Sequence, residues 1–262
     1  MKNCAKYLLV LIILTTGCNF NSDNKKNPEF LKMDFSYPRT LIYDFEQHQI
    51  NIDNDFKDTT HTTTTCEIVL TSTLDTTGIL VFRDLLVKSV NNHSTDTSRR
   101  TEESQAIENY NEFGEHSNKM LTHRFQSIFP LPYRNISDSS VFVFDVEMPI
   151  NVYGPVIYVP GKCTFSIVDT LEYKNETCFK VKVLTNFKHV DKVSSIDGVY
   201  DCDIRYEFEG YLHSKEFYYI EGSGKVNSEI SLSLPSNKQE KYAKKIMKSV
   251  EDFNYTLKTA VK

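Results

Sequence analysis

The chain has 262 residues, 25% of them charged and 40% apolar, with 9 glycines, 8 prolines, no tryptophan, 15 tyrosines and 17 phenylalanines. That balance excludes a disordered acidic chain, a polytopic membrane protein and collagen-like or Gly/Pro-rich low-complexity sequence. A formal charge of −5 excludes general nucleic-acid binding, which needs a basic footprint to neutralise phosphates.

Lys2 and Lys6 form a short basic start, and Tyr7 to Leu14 (YLLVLIIL) is an unbroken apolar run. A stable transmembrane helix needs about 20 apolar residues, so this run has the size of a signal-peptide core instead. Thr15-Thr16-Gly17-Cys18 follows at once and resembles the lipobox of bacterial lipoproteins, with Thr15 where Leu is usual. The resemblance implies cleavage before Cys18 and lipidation of its thiol. Acyl chains such as palmitate add about 0.8 kcal/mol of membrane affinity per buried methylene. Residues 1–17 are then a signal peptide. Residues 18–34, with the polar stretch Asn19 to Lys26, are a lipidated tether, and 35–262 form one domain. The implied address is the bacterial cell envelope, most simply the outer membrane, with the domain facing the periplasm or the exterior.

Past the tether, period-two apolar patterns dominate. Leu41–Ile52 reads as a strand whose apolar parity changes near Gln47, a slip that a bulge would absorb. Thr62–Thr73 is β-branched throughout, and Gly78–Val90 contains the run Ile79-Leu80-Val81-Phe82, which favours a strand. Residues 91–118 are polar and mixed in charge, and predict a long surface loop or a short helix near Glu102–Tyr110. Phe125–Phe129 is expected as a strand, broken by Pro130-Leu131-Pro132. Val141–Val146 reads as a buried strand. Residues 148–161, punctuated by Pro149, Pro155 and Pro160, predict irregular or edge structure.

Four further strands are expected at Cys163–Asp169, Thr177–Phe187, Val199–Glu209 and Lys225–Leu234, with Gly222-Ser223-Gly224 as a hairpin turn. In Asp201–Leu212 apolar residues alternate with charged ones, the mark of an antiparallel sheet with one wet face. Near the end, Tyr242, Ala243, Ile246, Met247 and Val250 form a helical stripe, which predicts a helix over about 238–249. Phe253–Val261 alternates again and predicts a final strand. The expected fold is mainly β, a large curved antiparallel sheet (sandwich or half-barrel) with one C-terminal helix.

Four cysteines lie in the domain. By strand parity Cys66, Cys163 and Cys202 face the core, and Cys178 shares the wetter side with Lys180 and Lys182. Buried free thiols and a disulfide among Cys66, Cys163 and Cys202 are both open. No close cysteine pair suits zinc, and the seven histidines show no metal-binding spacing and are expected in solvent. G-x-S-x-G, P-loop and dinucleotide motifs are absent, so no catalytic or cofactor-binding residue is assigned. The row Asp201, Asp203, Glu207, Glu209 contains Arg205 and reads as a solvated face.

The Thr-rich strands, the Phe129–Pro132 break and the Gly-Ser-Gly segment look broadly like β-rich envelope lipoproteins. The expected function is therefore non-enzymatic, the binding of an apolar ligand or partner protein on a curved sheet. The alternatives are an envelope hydrolase with a site built from loops 91–118 or 148–161, and a structural or assembly lipoprotein.

Overall fold

The computed structural model describes residues 17–18, 31–35, 38–53, 58–73, 77–91, 94–100, 106–132, 140–151, 156–193, 198–234 and 243–261. The signal-peptide run and most of the tether lie outside them. Among the described residues, no helix is long and apolar enough to cross a membrane.

The β-branched and alternating stretches fold into unusually long strands. They are β2 (Arg39–Asp53), β3 (Asp58–Ser72), β4 (Gly78–Val90), β7 (Val141–Asn151), β8 (Val156–Tyr173), β9 (Glu176–Val193), β10 (Gly198–His213), β11 (Tyr219–Leu234) and β12 (Ala243–Val261). Short strands β1 (Gly17–Cys18), β5 (Thr95–Arg100) and β6 (Ile107–Tyr110) complete the set. All belong to one open antiparallel sheet in the order β1-β7-β8-β9-β10-β11-β12-β2-β3-β4-β5, with β6 beside β4. Each neighbouring long pair is consecutive in sequence except one: β12 returns to lie against β2. The chain's last strand thus joins two meanders into a single surface.

Each of the long strands sends alternate side chains to an inner face, where Tyr43, Phe45, Ile68, Phe165, Val183, Phe208, Phe253 and Tyr255 are buried together. One helix, α1 (Lys119–Ile128), lies on that face with Phe129–Pro132 behind it. Asn118 caps it, its side chain accepting a hydrogen bond from the Met120 amide at 2.9 Å. The Phe129 amide donates to the Phe125 carbonyl at 2.9 Å, and Pro130 then ends the helix.

Several local expectations are corrected. The C-terminal helix over 238–249 is not formed: Ala243–Ser249 belongs to β12, hydrogen-bonded to β11 along its whole length and to β2 from Met247; residues 238–242 lie outside the described set. Two flanking strands satisfy its backbone and bury Ser249, Glu251, Phe253 and Tyr255, and that outweighs a local helical stripe worth only tenths of a kcal/mol per residue. Phe125–Phe129 is the reverse case, a β-like run that forms the end of α1 and its cap. The polar region 91–118 contributes β5 and β6, and of the candidate helix at 102–110 the described part, 106–110, ends as β6. Pro149 and Pro160 are accommodated inside β7 and β8, facing Tyr158 and Glu147.

Gly222-Ser223-Gly224 is no turn, since it lies within β11. A Cβ on Gly222 would approach the Tyr255 ring to 2.5 Å, and one on Gly224 would approach the Phe253 ring to 2.3 Å. Glycine here is what lets the rings of β12 lie flat on β11. Gly224→Ala is therefore expected to destabilise the fold by about 1–3 kcal/mol through overpacking. A urea midpoint equal to that of the wild type would show that the Phe253 ring swings aside freely.

Candidate functional site

The inner face has two halves of different chemistry. The first is aromatic. The Phe129 ring is fully buried, with its centroid 5.0 Å from Tyr43, 5.0 Å from Tyr255, 5.4 Å from Phe125 and 6.5 Å from Tyr219. Tyr219 stands edge-on to Phe208 at 5.2 Å and to Tyr255 at 6.2 Å. Such tilted and T-shaped pairs add to what burial of the rings already contributes.

Tyrosine hydroxyls fasten the backbone of the plug. Tyr219 donates to the Pro130 carbonyl at 2.6 Å, Tyr206 to the Ser127 carbonyl at 2.9 Å, and Tyr110 to the Leu121 carbonyl at 3.1 Å. The Ser127 carbonyl is one that the C-terminal end of α1 leaves without an intrahelical partner, and the Pro130 carbonyl lies beyond the helix. Burial holds the Tyr206 and Tyr219 phenols well above their usual value, so both stay protonated donors. Between the plug and β7–β10 lies a cavity of about 20 Å³, bordered by Gln126, Pro130, Leu131, Cys163, Thr185 and Tyr206. That is room for about one water.

The second half is polar and follows one cross-strand row. Register aligns Thr185 (β9), Tyr206 (β10), Val226 (β11), Glu251 (β12), Gln49 (β2), Thr62 (β3) and Ser89 (β4). Glu251 is 1% exposed and Gln49 2% exposed, and Thr62, Ser249 and Ser228 beside them are buried. Gln49 donates its amide N–H to the Ser249 hydroxyl at 3.3 Å, and the Thr62 and Ser89 hydroxyls lie 3.3 Å apart. Both carboxyl oxygens of Glu251 and Oε1 of Gln49 lack a hydrogen bond of good geometry, although the Gln47 side chain lies close enough to Glu251 to ease its ionisation. Burial drives the Glu251 carboxyl up to about 8; the Gln47 amide pulls the other way, while the Asp252 charge adds to the rise.

This row exists because β2 keeps a constant register. The expected slip near Gln47 does not occur; Phe45, Gln47 and Gln49 face inward in succession against Cys66, Thr64 and Thr62. Ile52 is consequently pushed outward and is 38% exposed. The apolar pattern of the sequence and the facing of the strand disagree along this stretch, and disagreements of that kind mark strained or functional sites more often than ordinary core.

The residues singled out by sequence are scattered. Cys18 pairs its backbone with Val146 at the β7 edge, and its side chain lies outside what is described. Cys66, Cys163 and Cys202 stand on β3, β8 and β10 as buried free thiols, so no disulfide joins them. Burial pushes each up to about 12, which keeps them protonated and unreactive. Cys178, expected on the wetter side, is fully buried opposite His213, its thiol 3.4 Å from the Glu176 carbonyl. His123 and His213 are buried instead of solvated; His213 lies 3.3 Å from Glu176. The row Asp201 to Glu209 is outward and laced by exposed ion pairs, Lys188–Asp203 at 3.2 Å and Lys182–Glu209 at 2.6 Å, each worth little. Among the described residues, no group of three or more His, Cys, Asp or Glu side chains is placed to hold a metal.

Glu251, Gln49 and the fastening tyrosines were not legible as a site. The one available signal was the phase conflict at Gln47–Gln49, which a bulge explained equally well.

No protein-family model matches the chain, and no curated protein matches it. Solved structures similar in shape include one described as "Lipid-protein interactions in lipovitellin", with a TM-score of 0.47 and 10% identity, covering 87% of this chain and 26% of that one. The chain thus spans about a quarter of the lipovitellin chain it resembles. Another is OccK5 (OpdH) of Pseudomonas aeruginosa, with a TM-score of 0.25 and 6% identity over 85% of this chain and 98% of that one.

Proposed function

We propose that this protein is a non-enzymatic lipoprotein of the bacterial cell envelope, anchored through acyl chains on Cys18, whose curved sheet takes up an apolar ligand where α1 and Phe129–Pro132 now lie. The observation that carries this reading is the plug itself. The aromatic face is covered by a ten-residue helix and the four residues after it, with no second sheet over it among the described residues. A helix that short has little stability of its own and owes its place to Phe125, Ile128 and Phe129 and to the tyrosine hydrogen bonds. An apolar ligand offers the sheet the same burial as those side chains, so exchange of one for the other costs little net apolar contact. The 20 Å³ cavity admits no such ligand while the plug is in place, so uptake requires the plug to move.

The test has two parts. The full chain is purified and extracted with organic solvent without hydrolysis, so that acyl chains bonded to Cys18 stay with the protein. Mass spectrometry of the extract is expected to show one class of apolar molecule near one per chain. The variant carrying Tyr206→Phe and Tyr219→Phe loses two hydrogen bonds, each worth about 0.5–1.5 kcal/mol. It is expected to take up an apolar fluorescent probe several-fold faster than the wild type. A ligand-free extract together with equal uptake rates would overturn the carrier reading.

A further inference from the structure

The polar row within the inner face is poorly explained as packing. A buried carboxyl beside a buried amide oxygen is ordinarily matched by donors, because an unpaired buried acceptor costs about 1–3 kcal/mol, and a charged one more. Here the match fails on one side only. Gln49 commits its N–H to Ser249, and the Thr62 and Ser89 hydroxyls serve each other. On this directly opposed pair, Glu251 Oε1, Glu251 Oε2 and Gln49 Oε1 make no well-formed hydrogen bond, and Gln47 on β2 is the one side chain that eases ionisation of the carboxyl. Toward β11 and β10 the neighbours in the row are Val226 and Tyr206, and two residues along β12 stands Phe253; the charged and polar groups that act on the carboxyl are Asp252 and Gln47. Beyond Phe253 the same strand leads to Tyr255 and the plug, about 13 Å from Glu251 at the usual rise per residue. Tyr206, which fastens the plug through Ser127, lies two strands from Glu251 in the same row.

We propose that Glu251 and Gln49 form the headgroup subsite of the inner face, and that the ligand is an amphiphile with a hydrogen-bond-donating cation, a primary ammonium, on an apolar chain. This rests on the carrier reading and names its ligand class. Bound here, an ammonium brings one positive charge, which draws the Glu251 carboxyl into its ionised form, and three donors for the oxygens of Glu251 and Gln49. Its chain runs along β12 over Phe253 toward the aromatic half. A quaternary ammonium carries the charge without the donors, and a carboxylate carries the wrong charge and more acceptors, so both are poor fits.

The test is a calorimetric titration of the full chain with decylamine, decyltrimethylammonium, decanol and decanoate, and of the Glu251→Gln variant with the same four. That variant keeps the shape and removes the cost of holding a carboxyl in the buried row, so it is expected to fold. Decylamine is expected to bind at least tenfold more tightly than the other three, with the advantage cut to less than threefold by Glu251→Gln. If all four bind alike, or if Glu251→Gln leaves decylamine affinity unchanged, the subsite is overturned while the carrier reading stands. If none binds, even to the Tyr206→Phe, Tyr219→Phe variant, the carrier reading fails and the subsite with it.

Discussion

Glu251→Gln is expected to make the protein more stable at neutral and alkaline pH, with a gain that vanishes in acid. The carboxyl sits at about 8 in the folded chain against 4.5 when solvated. Below about pH 4 it is protonated in both states and contributes no pH-dependent term. Between 4.5 and 8 the unfolded chain ionises while the folded chain does not, so the unfolded state gains. Above pH 8 the full cost is present. At about 1.4 kcal/mol per pH unit of displacement, it reaches an upper limit of ~5 kcal/mol. The titratable neighbours are Asp252 on its own strand and Tyr206 on β10. Both are acids, so neither reverses the sign. Urea midpoints of wild type and variant from pH 4 to 9 are expected to diverge upward through this window. Parallel profiles would mean that the carboxyl has a donor or water access that lets it ionise normally.

The second large effect is expected at Phe129. Its ring is fully buried and touches Tyr43, Phe125 and Tyr255, so it joins the plug to both β2 and β12. Phe129→Ala is expected to cost about 3–5 kcal/mol, the range for removing a buried aromatic ring. Because the hole would be lined by rings, it is expected to stay dry and accept a small apolar guest such as benzene. Equilibrium unfolding with and without benzene checks both statements, since a guest that binds only the folded state raises the midpoint. A loss under 1 kcal/mol would show that the plug is already loose in the wild type. In that case the fold is held by the sheet alone.

Much of the fold was legible because strand facing repeats every two residues. The charged-apolar alternation of Asp201–Leu212 and the β-branched run of Thr62–Thr73 identified β10 and β3, and the same reasoning found β8, β9 and the end of β12. Errors arose where local pattern and tertiary pairing compete. Ala243–Ser249 has a helical stripe and Phe125–Phe129 a strand-like one, yet each takes the other form. A strand needs a partner strand for its backbone, which β11 supplies from Ala243 and β2 adds from Met247. A short helix needs a face to lie on, which only the assembled sheet provides. The candidate site was less legible still. Gln47 and Gln49 look outward by composition, and facing is inherited from β3 and β12, strands that are not visible from within β2.

Length, composition and the segment up to Cys18 determined by themselves that the chain is acidic, rich in β-branched and aromatic residues, and headed by an apolar run too short to span a bilayer. These properties are additive along the chain or confined to a few neighbouring residues. Only the tertiary structure decided that β12 closes against β2 and that a ten-residue helix covers the aromatic face. It alone brought Glu251 opposite Gln49 from positions about 200 residues apart. That pair depends on the register of two long strands. A shift of one residue would turn both side chains outward into water, and no local stretch of sequence contains the information that prevents it.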